Sequence, residues 1–320
     1  MAERVELRYL FPMKDKRPIL IAGPTGSGKS GLALRLAEEV GGVVINADSM
    51  QVYRELQILT ARPTAEETAR VPHALYGFVS GGAAYSAGRY AADAARALKE
   101  ARGTGLRPIF VGGTGLYFKA LTEGLSPMPQ IPEDVRAHWR REASRAEPGA
   151  MHAVLARRDP EMAERLAPGD TQRIARALEI LDASGASLLD WQQRPREPVL
   201  EASDAVRLVV APSRAELYAR IDARFERMMA AGALEEVQQL VALGFDAKLP
   251  VMTALGVRPL GAHLAGALSR EAAVAAAQTE TRQYAKRQLT WARGNMLSWK
   301  WISEKEMEST EGDFIAFIDP

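Results

Sequence analysis

Eight consecutive residues constrain this chain more than any other feature: Gly23, Pro24, Thr25, Gly26, Ser27, Gly28, Lys29 and Ser30. Gly23, Gly28, Lys29 and Ser30 satisfy the pattern G-x-x-x-x-G-K-[ST]. The apolar run 18–22, which reads as a strand, precedes them, and a helical run at 30–40 follows. Such a loop turns its backbone N–H groups inward, and the next helix brings its positive end to the same spot. Lys29 would neutralise terminal phosphates, and the Ser30 hydroxyl would sit on Mg²⁺. A helix terminus alone is worth only about 0.3–2 kcal/mol towards an anion. The lysine and a metal therefore supply much of the neutralisation. The loop demands phosphate without saying whose.

Three more short apolar runs read as buried parallel strands, at 42–48, 108–113 and 207–212, besides the first at 18–23. Helical patterns separate them at 30–40, 87–101 and 216–243, and a last long helix covers 270–293. This alternation predicts an α/β fold: a P-loop NTPase-like, doubly wound parallel sheet. "SWKWIS" (298–303) is a candidate fifth strand with Trp299 and Trp301 on one face. About ninety residues between the third and fourth strands lack a strand pattern. They open on the proline-rich "LSPMPQIP" and continue with helical segments near 133–147, 149–157, 159–167 and 171–185. A crossover of that length is a helical insertion rather than a loop. The expected division is a core of 1–124 and 200–320 with an insertion of 125–199.

Ligands of open α/β sheets gather at the carboxyl ends of the strands. There the second run delivers Asp48, Ser49, Met50, Gln51 and Tyr53, and the third delivers "VGGTGLY" with Thr114 among glycines. Asp48 reads equally as a helix N-cap or as a Walker B acid. The second reading is weakened by Asn46, which interrupts the apolar run. The only four-apolar-then-Asp run is "IAFID" (315–319), at the far end of the chain, so an ATPase would lack its usual metal carboxylate. In "DTQRIARALEI" Arg173 and Arg176 share one helix face, opposite Ile174, Leu178 and Leu181, and that face suits either solvent or a ligand. The segment 281–300 carries Arg282, Lys286, Arg287, Arg293 and Lys300 without one acid. Arg282, Lys286 and Arg293 fall on one helix face, with Tyr284 and Trp291 opposite. The aromatics are expected to pack into the core while the basic stripe meets nucleic-acid phosphates.

Composition removes other classes. The chain has 320 residues, no cysteine, only four histidines and a net charge of +1. Disulfides and thiolate or histidine-built zinc sites are excluded, and any nucleic-acid site must be local. No apolar stretch approaches the ~18 residues of a membrane span. The opening "MAERVELRYLFPMKDK" lacks the apolar core of a secretory signal. A cytoplasmic location is expected, with Met1 or Met13 as the start.

Taken in order, "GPTGSGKS", "NADSMQVY", "TARPT", "VGGTGLYFKALTEGL", "DTQRIARALEI", "LYARIDARFERMMAAGALEEV" and "TRQYAKRQLTW" resemble the bacterial tRNA dimethylallyltransferases, also called isopentenyl-tRNA transferases. The resemblance covers about 19–291. It implies transfer of a dimethylallyl group from dimethylallyl diphosphate to N6 of the adenosine 3′-adjacent to the anticodon, with Mg²⁺ and release of diphosphate. It implies Asp48 as general base, Thr25 at the bridging oxygen and Arg220 on the diphosphate. It implies tRNA contacts, on the anticodon stem-loop, at Asp48, Ser49, Met50, Gln51, Thr114, Arg136 and Gln172, Arg173, Ile174, Ala175, Arg176, and it suggests a monomer. Arg62 stands where the family more often has lysine, and "PHALYGFVS", "TALGVRPL" and "WARGN" depart from the usual pattern. The alternatives are an adenylate isopentenyltransferase acting on a free nucleotide and a small-molecule P-loop kinase. A nucleotide-dependent RNA-binding protein is disfavoured because no N-K-x-D motif is present.

Overall fold

The computed structural model describes residues 16–303. The run "IAFID" and the segment around Met1 and Met13 lie outside the described residues.

Six strands, β1 (Ile19–Ala22), β2 (Gly42–Asn46), β3 (His73–Ala74), β4 (Arg107–Gly112), β5 (Val206–Val210) and β6 (Lys300–Ile302), form one sheet in the order β3-β2-β4-β1-β5-β6. Every pairing is parallel. The continuous apolar runs follow from burial on both faces. On β1, Leu20 and Ala22 pack into one cluster with Phe110, Tyr90 and Tyr117, while Ile19 and Ile21 pack into another with Leu32, Leu36 and Val40. The first cluster is covered by α3 (Ala87–Gly103) and α4 (Gly115–Thr122), the second by α1 (Lys29–Val40). The short α2 (Ala65–Arg70) begins in a capping box between Thr64 and Glu67.

Residues Glu123–Pro198 separate as a second compact unit. It contains α5 (Glu133–Arg145), α6 (Ala150–Arg158), α7 (Pro160–Glu164), α8 (Thr171–Ser184) and α9 (Leu188–Gln192). Its core joins Trp139, Leu155, Ile174, Leu178 and Leu189. Trp139 Nε1 donates to Asp182 Oδ2 at 2.6 Å, and Arg158 pairs with the other oxygen of that carboxylate.

After β5 the chain forms α10 (Arg214–Ala230), α11 (Ala233–Ala242), α12 (Val257–Leu264) and α13 (Arg270–Asn295). The apolar periodicity over 216–243 predicts one helix, yet the structure divides it. Gly232 has φ 100°, a left-handed conformation that ends one helix and caps the next. α12 and the two-residue β3 are further departures, too short or too weakly patterned to announce themselves. β2 also ends two residues early, at Asn46, whose side chain takes up the Asp48 N–H and C=O that a longer strand would offer to the ladder.

Candidate active site

The phosphate loop closes on itself: Ser27 N–H donates to Pro24 O at 3.2 Å and Lys29 Nζ to the same carbonyl at 3.1 Å. Gly28 caps α1, and Ser30 is exposed in its first turn. Burial pulls the Lys29 ammonium down to about 8, with Asp48 acting upward and Arg224 downward. An anion placed beside that ammonium would favour its charged form.

Asp48 is neither a helix cap nor part of a β-strand. It follows β2 in a tight turn, where its Oδ1 accepts the Met50 N–H at 2.9 Å. Asn46, fully buried, fixes this turn. Its Oδ1 accepts the Asp48 N–H at 2.8 Å, while its Nδ2 donates to Asp48 O at 2.9 Å and Leu75 O at 3.0 Å. The polar residue that interrupts the apolar run thus serves as the brace of the acid two residues on. Thr114 completes the cluster, its hydroxyl accepting the Ser49 N–H at 2.9 Å. The charge of Asp48 reaches across the site. Burial first and this carboxylate second hold the hydroxyls of Tyr76, Tyr117 and Tyr284 above the ordinary tyrosine range.

Two long side chains lock the loop from outside. Arg224, on α10, hydrogen-bonds Thr25 Oγ1. Burial lowers its guanidinium, and Asp48 opposes that shift. Gln288, on α13, accepts the Thr25 N–H at 2.9 Å and donates to Gly113 O at 2.8 Å, so one carboxamide joins the ends of β1 and β4. Neither residue is singled out by the sequence. Arg224 lies one helical turn beyond Arg220, which the resemblance places on the diphosphate, so the same helix carries two arginines as candidates for the loop.

Beside the loop lies a cavity of about 260 Å³, lined by Gly23 and Pro24 from one side and by Thr114, Phe118, Tyr284 and Trp291 among others. Tyr284 and Trp291 were expected in the core. Both are partly buried and line the cavity, because α13 lies across the ends of β1 and β4, and Trp291 also packs against the core cluster as expected.

Other expected contact residues fall as follows. Gln51 already donates both hydrogens of its carboxamide, to Thr60 O at 2.8 Å and Ala61 O at 3.0 Å. Tyr53 is buried with Leu56 and Phe225. Arg282 pairs with Asp222 at 2.5 Å, tying α13 to α10, whereas Lys286 and Arg293 are exposed. In the helical unit Ile174 and Ala175 are buried, 0% and 7% exposed. Their side chains belong to its core, so the expectation that they touch RNA is corrected: only Gln172, Arg173 and Arg176 of that segment reach its surface. Arg173 pairs with Asp170 at 3.3 Å, Arg176 with Glu179 at 3.1 Å and Arg136 with Glu133 at 3.6 Å. Among the described residues no cluster of three or more His, Asp or Glu side chains stands ready for a metal, and no helix is long and apolar enough to cross a membrane.

A family model described as IPP transferase matches residues 51–295, and one described as isopentenyl transferase matches 17–75. The tRNA dimethylallyltransferase of Parvibaculum lavamentivorans is 53% identical over 303 residues, 95% of this chain and 96% of the relative. That of Methylobacterium nodulans is 56% identical over 291 residues, 91% of this chain and 96% of the relative. Among solved structures, the full-length tRNA isopentenylpyrophosphate transferase of Bacillus halodurans superposes with TM-score 0.67 at 30% identity, covering 95% of this chain and 97% of the other. A eukaryotic dimethylallyltransferase acting on tRNA gives TM-score 0.74 at 26% identity, covering 94% and 77%. These matches and the phosphate-loop sheet define the class, a prenyltransferase. Within that class, the chain belongs to the tRNA dimethylallyltransferase family.

Proposed function

We propose that this chain transfers a dimethylallyl group from dimethylallyl diphosphate to N6 of the adenosine 3′-adjacent to the anticodon. The convergence of Lys29, Asp48 and the Arg224–Thr25 pair at one end of the sheet, beside an apolar cavity, carries the reading. In the reaction the bond between the allylic carbon and the bridging diphosphate oxygen breaks, and a bond from N6 to that carbon forms. N6 loses a proton, and diphosphate leaves. The chain's residues divide that work. Lys29, the loop N–H groups and Thr25 hold the diphosphate where negative charge develops. Arg224, through Thr25, adds positive charge at the bridging oxygen. Asp48 Oδ1 accepts one hydrogen bond, from the Met50 N–H, and the carboxylate keeps lone pairs on both oxygens to take the N6 proton. The proton moves to the carboxylate because the amine turns acidic as it attacks.

The residues fit Mg²⁺ bound in its usual manner, through one protein oxygen, phosphate oxygens and water rather than an all-protein cage. The Ser30 hydroxyl, exposed at the start of α1 beside Lys29, would be the protein ligand. When bound, the ion neutralises charge on the leaving diphosphate.

The acceptor is tRNA, gripped by phosphate contacts at Lys286 and Arg293 and on the helical unit at Arg136, Gln172, Arg173 and Arg176. The target base must leave its stack, at a cost of a few kcal/mol that is smaller in a loop than in a duplex. The protein works as a cytoplasmic monomer. Incubation with labelled dimethylallyl diphosphate and bulk tRNA tests the reading: label should enter tRNA and not free adenosine monophosphate. Efficient labelling of the free nucleotide, with tRNA no better, would contradict it.

A further inference from the structure

Diphosphate recognition is blind to the length of the chain behind it, since longer allylic diphosphates carry the same head. Burying additional methylenes in an apolar cavity is moreover favourable. Discrimination for a five-carbon donor therefore needs a rigid wall at the hydrocarbon end.

α13 runs along the cavity and lines it with Tyr284, Gln288, Trp291 and Ala292. Tyr284 lies towards the reacting centre, within the field of Asp48. Gln288 is anchored to Thr25 and Gly113. Trp291 is nearly one turn further on, lines the same cavity, and packs against the core cluster that also holds Met296. Its ring has one unusual neighbour. A Cβ on Gly115 would lie 2.2 Å from Trp291 Cε3 and 2.3 Å from Cζ3, so the indole rests directly on the bare backbone of Gly115. The next residue, Ala292, is buried in the core beneath. The ring is thus fixed by its helix on one side and by Gly115 on the other. The other large wall residues are less suited: Leu116 is 48% exposed, Phe118 is a buried core ring packed edge-on against Trp299, Arg287 is exposed, and Met296 is an unbranched, adaptable side chain.

We propose that Trp291, seated on Gly115, is the residue that limits the donor to a five-carbon chain. The inference rests on the reading that the cavity holds the donor's hydrocarbon. Trp291→Ala and the more conservative Trp291→Leu, which keeps apolar packing, are compared with the unaltered protein for transfer from dimethylallyl and geranyl diphosphates to tRNA. The ratio of kcat/KM for geranyl over dimethylallyl should rise at least about 100-fold, because apolar-pocket discrimination amounts to 10–200-fold per methylene. Affinity for inorganic diphosphate, measured by calorimetry, should stay within a few-fold and shows that the loop is intact. An unchanged ratio in a folded variant that binds diphosphate normally overturns the inference, as does equal use of both donors by the unaltered protein. Failure of the unaltered protein to transfer dimethylallyl to tRNA at all would instead overturn the underlying reaction.

Discussion

Arg224 reaches from α10 into the phosphate loop and hydrogen-bonds the side chain of Thr25. The pair ties the helix after β5 to the loop after β1, and it puts a buried positive charge where an allylic diphosphate would release its oxygen. Arg224→Ala should lower turnover by about 10²–10³-fold, the loss seen when a donor to a developing negative charge is removed. Single-turnover transfer to tRNA measures it, with Arg220→Ala as the paired comparison. A larger loss in the Arg220 variant would return the role to that residue.

Lys29→Ala should weaken dimethylallyl diphosphate strongly and leave tRNA affinity nearly unchanged, because the ammonium lies within the loop, bonded to Pro24 O. Calorimetry with each substrate separately checks this. The protein should neither need nor hydrolyse ATP. Steady tRNA-stimulated ATP hydrolysis by clean protein would contradict the donor assignment.

How much of this was legible before the fold was known varies by residue. The phosphate loop and the strands that place it read directly, because strands buried on both faces must be apolar throughout. Asp48 was visible as an acid at a strand end. Its brace was misread, since a buried asparagine in an apolar run signals only that something needs its hydrogen bonds. Arg224 and Gln288 were hidden because each acts across more than 170 residues of chain, and nothing local distinguishes them from solvated neighbours. Ile174 and Ala175 show the opposite case: the contiguous segment implied by resemblance is a helix, and at 3.6 residues per turn part of any such run, here two adjacent residues, faces the core.

The proposed grip on tRNA makes the exposed cations of α13 a source of salt dependence. Each phosphate contact contributes about 0.9 to the slope of log affinity against log salt on duplex-like backbone. The double change Lys286→Ala, Arg293→Ala should therefore weaken tRNA binding and flatten the slope by roughly two units. Turnover at saturating tRNA should change far less. An unaltered slope would remove both residues from the RNA surface.

In the helical unit, burial acts to raise the Asp182 carboxyl, but hydrogen bonds from Arg158 and Trp139 outweigh it and hold it below the ordinary range. A carboxyl lower in the folded than the unfolded state adds stability that is present above its unfolded value, about 3.9, and is lost as pH falls through its folded value. Protection factors of the α5 and α8 amides, with exchange rates corrected for their intrinsic pH dependence, should fall on acidification below about pH 4. Asp182→Asn should lessen that pH dependence. Identical acid sensitivity in the variant would assign the loss to other carboxyls.

The central claim is that Asp48, braced by Asn46, takes the proton from the acceptor amine. The most direct measurement is single-turnover transfer by Asp48→Asn with both substrates saturating, beside separate binding titrations of tRNA and dimethylallyl diphosphate. General-base catalysis supplies about 10²–10⁴-fold, so the rate should fall by that amount while both substrates still bind. A variant that binds both and transfers at near-normal rate would contradict the claim and leave Asp48 as a turn residue alone.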